Sequence, residues 1–179
     1  MKLVFATNNK NKIKEVQSLI PKHIKLLSLE DIGCFEDIPE TQNTIEANAI
    51  QKANYIKDHY GHDCFADDTG LEVACINNEP GVFSARYAGE QKNSNDNMDK
   101  LLKKLEKKSD RSAQFKTVIA LNSNHELKTF TGICEGEITQ TKHGNNGFGY
   151  DPIFKPKNYN FTFAEMNLDL KNKIGHRGK

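Results

Sequence analysis

Between Lys2 and Ala66 the chain alternates short apolar runs with stretches of helical period, which restricts it to a sheet carrying helices. Lys2 to Ala6 reads as a strand. Ile13, Val16, Leu19 and Ile20 then fall at helical spacing within Lys12 to Ile20, and Ile24 to Leu27 reads as a second strand. A polar connection over 28–43 contains Pro39 and Glu40. Thr44 reads as the N-cap of a helix whose Ile45, Ala49, Ala53, Ile56 and Tyr60 share one face, with Gly61 as its stop. The apolar run Cys64-Phe65-Ala66 follows and ends in Asp67-Asp68-Thr69-Gly70.

Beyond that point strands dominate. Asp67 and Asp68 are read at a strand end, with a Thr-Gly turn leading into a second apolar run, Leu71 to Ile76. That run and Val82 to Tyr87 are read as strands flanking a turn at Asn77 to Gly81. Met98, Leu101, Leu102 and Leu105 give a short amphipathic helix, with Lys103, Lys104, Lys107 and Lys108 on its solvated face. Phe115 to Leu121 and Leu127 to Cys134 form a predicted hairpin joined around Asn122 to His125. The last third is rich in loops, with a short helix predicted to begin near Ala164. The expected fold is α/β, a long mixed sheet flanked by helices.

A length of 179 residues suits one domain, or one domain with two lobes. Lys and Arg number 25 against 24 acidic residues, a net charge of +1, so no global field favours nucleic acid or an anionic membrane. The apolar run at Leu3 to Ala6 is too short for a signal-peptide core and no stretch approaches membrane-spanning length, so the chain reads as cytosolic. Cys34, Cys64, Cys75 and Cys134 are far apart with no CxxC pattern, and they read as small buried hydrophobes.

Four polar clusters sit at element ends. Side chains alternate along a strand, so Asp67 and Asp68 point in different directions: one can hold a hard cation such as Mg²⁺ while the other orients a ligand or stays structural. The same four residues are also ordinary turn chemistry. The loop Thr7-Asn8-Asn9-Lys10-Asn11-Lys12 lies where a helix N-terminus offers unpaired N–H groups to an anion, although it lacks the glycines and GK[ST] ending of a P-loop. In Gly147-Phe148-Gly149-Tyr150-Asp151-Pro152 the glycines allow close backbone approach and the aromatics offer faces for a base, with an acidic acceptor beside them; the other reading is a tight loop whose aromatics plug the core. Lys171, Lys173, His176, Arg177 and Lys179 can hold phosphates or a carbonyl oxygen, or form a basic tail.

In order along the chain, these segments resemble the inosine/xanthosine triphosphate pyrophosphatase family. The matching pieces are Phe5 to Asn9 with Lys12, Pro39-Glu40-Thr41, Asn48-Ala49 with Lys52-Ala53, and Ala66 to Gly70. Further on they are Pro80-Gly81 with Ser84 to Tyr87, Gly147 to Phe154, Thr162 to Met166, and His176 to Lys179. The resemblance implies a two-lobed α/β fold around a long mixed sheet with a cleft between the lobes, a homodimer, and dependence on Mg²⁺. It implies that Thr7, Asn8, Asn9, Lys10, Asn11 and Lys12 contact a triphosphate, that Asp68 is metal ligand and proton acceptor, and that Glu40 is a second acidic metal position. Thr69 becomes a substrate contact and Lys52 reaches the phosphates from the second helix. Phe148, Gly149, Tyr150 and Asp151 hold the base, and Lys171, His176 and Arg177 close over it.

The implied reaction is hydrolysis of deaminated purine nucleoside triphosphates to monophosphate and pyrophosphate. A guanidinium or imidazolium near the purine 6-position would favour a keto base over adenine. Three positions depart from the family pattern. Ala47 stands where the family reads Glu before Asn48-Ala49, which leaves Glu46 or Glu40 to complete the acidic shell; Gly175 replaces a Ser before His176, and His143 an Arg. Relatives continue past the position of Lys179 into a further helix, so residues 1–179 are expected to form the two-lobed domain without its C-terminal helix. Two alternatives stay open: a nucleotide sensor without turnover, and a pyrophosphatase for modified pyrimidine nucleotides.

Overall fold

The computed structural model describes residues 1–124 and 126–179; His125, in the predicted hairpin turn, lies outside the described residues. The chain forms a mixed α/β fold and divides into two compact units, residues 1–68 with 117–131 and residues 69–116 with 132–179.

In the first unit β1 (Lys2–Phe5) runs parallel to β2 (Lys25–Leu27) on one side and to β3 (Cys64–Val73) on the other. Phe5 pairs with Phe65 across the strands, and their rings stack at 4.5 Å. With Leu3 and Val16 they make the buried cluster on which α1 (Lys10–Leu19) packs. The sequence reading began α1 two residues late. The structure starts it at Lys10 because Asn9 takes the N-cap, its side chain accepting from the Asn11 and Lys12 N–H groups at 3.0 and 3.2 Å.

Helix α2 (Ile45–Tyr60) has the predicted limits. The Thr44 hydroxyl accepts from the Ala47 N–H at 3.1 Å, and Gly61, at φ +70°, returns its N–H to Lys57. Its buried face carries Ala49, Ala53 and Ile56, but also Asn48 and Lys52. A buried lysine on a helix is costly unless it is paired, so this face does more than pack.

The second unit holds β4 (Glu79–Gly81), which pairs antiparallel with Leu71 to Val73 of β3, and α3 (Ser94–Lys104). The long strands β5 (Ser112–Ser123) and β6 (Glu126–Ile138) contribute residues to both units, and β7 (Phe154–Pro156) adds antiparallel to the end of β6. Among the described residues the strands are hydrogen-bonded in the order β2-β1-β3-β5-β6-β7, with β4 on β3. The core of this unit gathers Leu71, Val73, Leu101, Leu105, Phe115, Ile153, Phe154 and Phe163. Last comes α4 (Leu168–Ile174), capped by Asn167. No helix of the described residues is long and apolar enough to cross a membrane.

Three expectations are corrected. Thr69-Gly70 is not a turn: β3 runs unbroken from Cys64 to Val73, paired with β1 at Cys64 and Phe65 and with β4 at Leu71 to Val73, so strand pairing overrides the turn propensity of Asp-Asp-Thr-Gly. Val82 to Tyr87 is not a strand but holds a 3₁₀ turn, Ser84–Arg86. Its backbone folds onto the Ser84 hydroxyl, which donates to Gly81 O at 2.6 Å and accepts from the Leu71 N–H at 2.9 Å. Residues 163–165 are likewise a 3₁₀ turn, and the final helix begins at Leu168, where Asn167 can cap it. Lys103, Lys104, Lys107 and Lys108 are exposed, and Cys34, Cys64 and Cys134 are buried free thiols, as read, whereas Cys75 is only half-buried.

One corner of the first unit ties α2, β3 and β5 together through a single carboxylate. Asp63 accepts from Lys57 at 2.8 Å, from the Ser123 hydroxyl at 3.2 Å and from the Asn124 N–H at 3.4 Å. Lys57 first, and then the Asn124 and Ser123 donors, hold its carboxyl below the usual range against a smaller opposing effect of burial. A carboxyl depressed in the folded state stabilises above its unfolded pKa and loses that contribution as pH falls through the folded value. Thermal melts from pH 6 down to pH 2 will therefore show a loss of stability beginning near pH ~4 that is shallower in Asp63→Asn; an identical pH slope in the two proteins would remove Asp63 from the account.

Candidate functional site

In the first unit the acidic residues are organised by buried ammonium groups. Lys52 is 4 % exposed; its Nζ donates to the Asp67 carbonyl at 2.7 Å and is ion-paired with Glu40. Burial works to lower its pKa, but the charges of Glu40, Asp67 and Asp68 outweigh that and the net shift is upward. Lys52 is a cation in the protein interior, kept so by three carboxylates.

The two aspartates diverge, as alternation along a strand requires. Asp67 is 1 % exposed and pairs with Lys12 of α1 at 2.9 Å. Asp68 is half-buried and accepts from Asn48 Nδ2 of α2 at 3.2 Å. Each carboxylate is thus addressed by a different helix. Asn48, quoted from sequence only within the piece Asn48-Ala49 and given no role there, takes a place in this network. It is buried, its Oδ1 accepts the Gln42 N–H at 2.9 Å, and its amide so links the Glu40 segment to Asp68. A polar residue at the apolar spacing of α2, four positions before Lys52, was the available signal.

The loop before α1 is arranged around its cap. Thr7 Oγ1 accepts the Asn9 N–H at 3.2 Å and Asn9 caps the helix, while Asn8, Lys10 and Asn11 are exposed. The loop therefore offers a helix N-terminus with no acidic residue in its first turn, a favourable end for an anion. Glu46 points elsewhere: its carboxylate accepts from Thr129 of β6 at 3.2 Å, and Glu40 is the acidic residue drawn to Lys52.

In the second unit the Gly147 to Asp151 loop is closed on itself. Asp151, buried, accepts the Phe148 N–H at 2.8 Å and pairs with Lys171 of α4 at 2.5 Å. Gly147 sits at φ +74°, where a Cβ would run into the Asp151 carboxylate, so the turn excludes any side chain there. Tyr150 takes the core-plug reading. It is buried among apolar side chains and its hydroxyl donates to Ser84 O at 2.8 Å, so its ring is spent on packing. Phe148 does not: half-buried, it has Lys171 Nζ 4.8 Å and the Arg177 guanidinium 5.6 Å from its ring centre. Gly149 is half-buried between them.

After α4 the chain returns as His176-Arg177. The His176 ring is buried and stacks on Phe115 at 4.7 Å. Arg177 donates through Nη1 to His176 Nε2 at 3.1 Å and through Nη2 to the Thr69 hydroxyl at 3.0 Å. An imidazole nitrogen that accepts from a guanidinium carries no proton, so the cationic donor of this corner is Arg177. Thr69, Phe148, Lys171, His176 and Arg177 are thus brought together within this unit. Thr7, Lys12, Glu40, Lys52 and Asp68 belong to the other.

Residues 3–179 match the model of the Ham1 family. The chain is 70 % identical over 179 residues to the dITP/XTP pyrophosphatase of Flavobacterium johnsoniae, covering all of this chain and 93 % of that protein. Among solved structures, a Ham1 protein from Coxiella burnetii superposes with a TM-score of 0.91 at 41 % identity, over 99 % of this chain and 93 % of the other. The nucleoside-triphosphatase / dITP/XTP pyrophosphatase of Mycobacterium abscessus does so with a TM-score of 0.82 at 37 % identity, over 99 % and 95 %.

The electrostatics of Lys52 can be tested without any ligand. Replacing it by Met keeps the length of the side chain but leaves Glu40, Asp67 and Asp68 without their buried cation. Urea unfolding at pH 7 will show Lys52→Met destabilised by about 3 kcal/mol, the low end for breaking a buried pair because Glu40 keeps contact with water. Stability equal to the parent would mean that the three carboxylates do not depend on it.

Proposed function

The chain belongs to the Ham1 family, and on that premise we propose that it hydrolyses deaminated purine nucleoside triphosphates (ITP, dITP, XTP and dXTP) to the monophosphate and pyrophosphate. The observation that carries this reading is the convergence of Glu40, Asp67 and Asp68 on the buried Lys52. It is an acidic group built at energetic cost beside a helix N-terminus suited to an anion.

Attack of water on phosphorus adds charge to oxygens that are already anionic, so the site must neutralise charge and orient the water. Asp68, held by Asn48, is the group that orients the water and takes its proton. The loop Thr7 to Lys12 and the Lys52 ammonium face the triphosphate, and pyrophosphate leaves in one displacement without a covalent intermediate. Glu40 and Asp68 would hold Mg²⁺, which supplies Lewis-acid relief of the phosphate charge when bound. Their hard oxygen donors suit that ion. Mg²⁺ is commonly bound by one or two carboxylates and completes its shell with water and phosphate oxygens.

Phe148 supplies the face for the base, while Gly149, Tyr150 and Asp151 shape the loop that presents it. Lys171 and His176 hold that loop and its neighbour in place, and Arg177 is the donor toward the purine 6-keto oxygen. Adenine, which presents an amino donor there, is disfavoured by the same guanidinium. The reading carries with it a cytosolic homodimer acting on a small-molecule nucleotide, with no nucleic-acid or membrane partner.

Purified protein with Mg²⁺ will convert ITP to IMP and pyrophosphate, resolved from orthophosphate by chromatography, and will leave ATP largely intact. Asp68→Asn lowers turnover by about a hundredfold or more while the protein stays folded. Asn48→Ala, which removes the donor from Asp68, lowers it by roughly tenfold. Turnover confined to pyrimidine nucleotides, or tight ITP binding without turnover at any Mg²⁺ concentration, would overturn the reading in favour of one of its two alternatives.

A further inference from the structure

The segment that carries Glu40 lies outside helix and strand, yet it is fixed along its length. It runs antiparallel to α2 and is fastened to successive turns of that helix. The Gln42 N–H goes to Asn48, the Thr41 N–H and hydroxyl exchange bonds with the Gln51 amide at 3.0 and 2.9 Å, and Glu40 meets Lys52. The next fastening lies near the far end of the helix. There the hydroxyls of Tyr55 and Tyr60 both donate to Glu36 Oε1, at 3.0 and 2.5 Å, and Glu36 Oε2 accepts the Phe35 N–H at 3.2 Å.

This far fastening is built from rigid parts. The Tyr55 ring stacks on His59 at 4.1 Å, and the His59 ring nitrogen Nδ1 lies 2.9 Å from the Tyr55 carbonyl, so that ring is braced on its own helix. On the other side Cys34 and Leu29 are each 1 % exposed, with the Cys34 N–H bonded to Leu29 O at 3.0 Å, so the base of the segment is anchored in the core. Glu36 stays ionised at any pH at which the protein would work: the Tyr60 hydroxyl first, then its own backbone N–H and the Tyr55 hydroxyl, pull its carboxyl down to about 2. Between the buried Cys34 and Glu40, Phe35 and Asp37 are exposed, with Ile38 and Pro39 only half-buried. Packing cannot fix such a stretch, and directional bonds to an ionised carboxylate can.

We propose that Glu36, clamped by Tyr55 and Tyr60, is a positioning residue that sets the segment 35–42 on α2 and so holds Glu40 in register with Lys52. The proposal rests on the assignment of Glu40 as a metal position. It adds an outer anchor to that carboxylate, and outer partners of ligating carboxylates alter metal affinity by roughly tenfold or more when removed. Glu36 touches neither substrate nor metal, so its loss acts on the concentration of cation required and leaves the chemistry at saturation alone.

Two variants test it, Glu36→Ala and the double variant Tyr55→Phe/Tyr60→Phe, which keeps the carboxylate and its backbone donors and removes its two tyrosine hydroxyl donors. Hydrogen exchange on the metal-free full chain will show faster exchange in residues 35–42 in both, with α2 protected as in the parent. The Mg²⁺ concentration for half-maximal ITP hydrolysis will rise by roughly tenfold in both, with kcat at saturating Mg²⁺ within about twofold of the parent. Unchanged exchange in 35–42, or faster exchange with an unmoved Mg²⁺ midpoint, overturns the proposal. So does an effect confined to Glu36→Ala, which would make the charge and not the clamp responsible. A parent protein inert toward ITP would defeat the functional reading instead, and the exchange result would then decide on the clamp alone.

Discussion

The first unit depends on one charge in the wrong place. An ammonium at the middle of α2, 4 % exposed, is an expensive thing to bury, and it is tolerated only because the chain delivers oxygen atoms to it from two other segments. The middle of β3 gives the Asp67 carbonyl and the nearby charges of both aspartates; the segment before α2 gives Glu40. Remove Lys52 and the strand, the helix and the segment lose the reason for their present alignment. The apolar contacts of Ala49, Ala53 and Ile56 bring α2 onto the sheet, but they are non-directional and do not choose where along β3 it rests. The lysine does.

A strand is what lets two adjacent aspartates serve that arrangement. Had Asp67 and Asp68 sat in the turn their sequence suggests, both side chains would have been free to reach water. In an unbroken β3 they are forced to opposite sides, one toward Lys12 of α1 and the other toward Asn48 of α2.

That point also explains what could be read from residues alone. Local signals with local causes were legible: the Thr44 cap and Gly61 stop of α2, the free buried cysteines, the divergence of the aspartates and the clusters at element ends. Features decided by distant partners were not. Thr69-Gly70 has turn chemistry that only strand pairing suppresses, and Val82 to Tyr87 has strand composition that the Ser84 hydroxyl bends into a 3₁₀ turn. Tyr150 and Phe148, two residues apart in one motif, could not be told apart in sequence. Apolar side chains of the core and the Ser84 carbonyl, distant in the chain, draw Tyr150 inward and leave Phe148 beside two cations. The contacts of Asn48 and Glu36 were not legible for a similar reason, since a polar residue that holds another has no signature of its own until its partners are seen.

The charges of the first unit are spent on one another, and this constrains how a polyanion can be accepted. Lys12 is paired with Asp67 and Lys52 with Glu40. On the proposed reading, a triphosphate arriving alone meets ammonium groups whose charge is already cancelled, together with carboxylates that repel it. For the lysines to turn toward phosphate oxygens, Glu40 and the aspartates need another cation to face. Nucleotide and divalent cation would then each improve the site for the other, a coupling that is reciprocal by thermodynamic necessity. The strength of that coupling falls on the stiffness of the segment bearing Glu40. A carboxylate on a loose loop would follow Lys52 wherever it went, whereas one fastened at Gln42, Thr41 and Glu36 stays in place when its partner is drawn away. In this chain the precision of the acidic site comes from α2, the most regular element the sequence encodes, and from the row of side chains that binds an irregular segment along it.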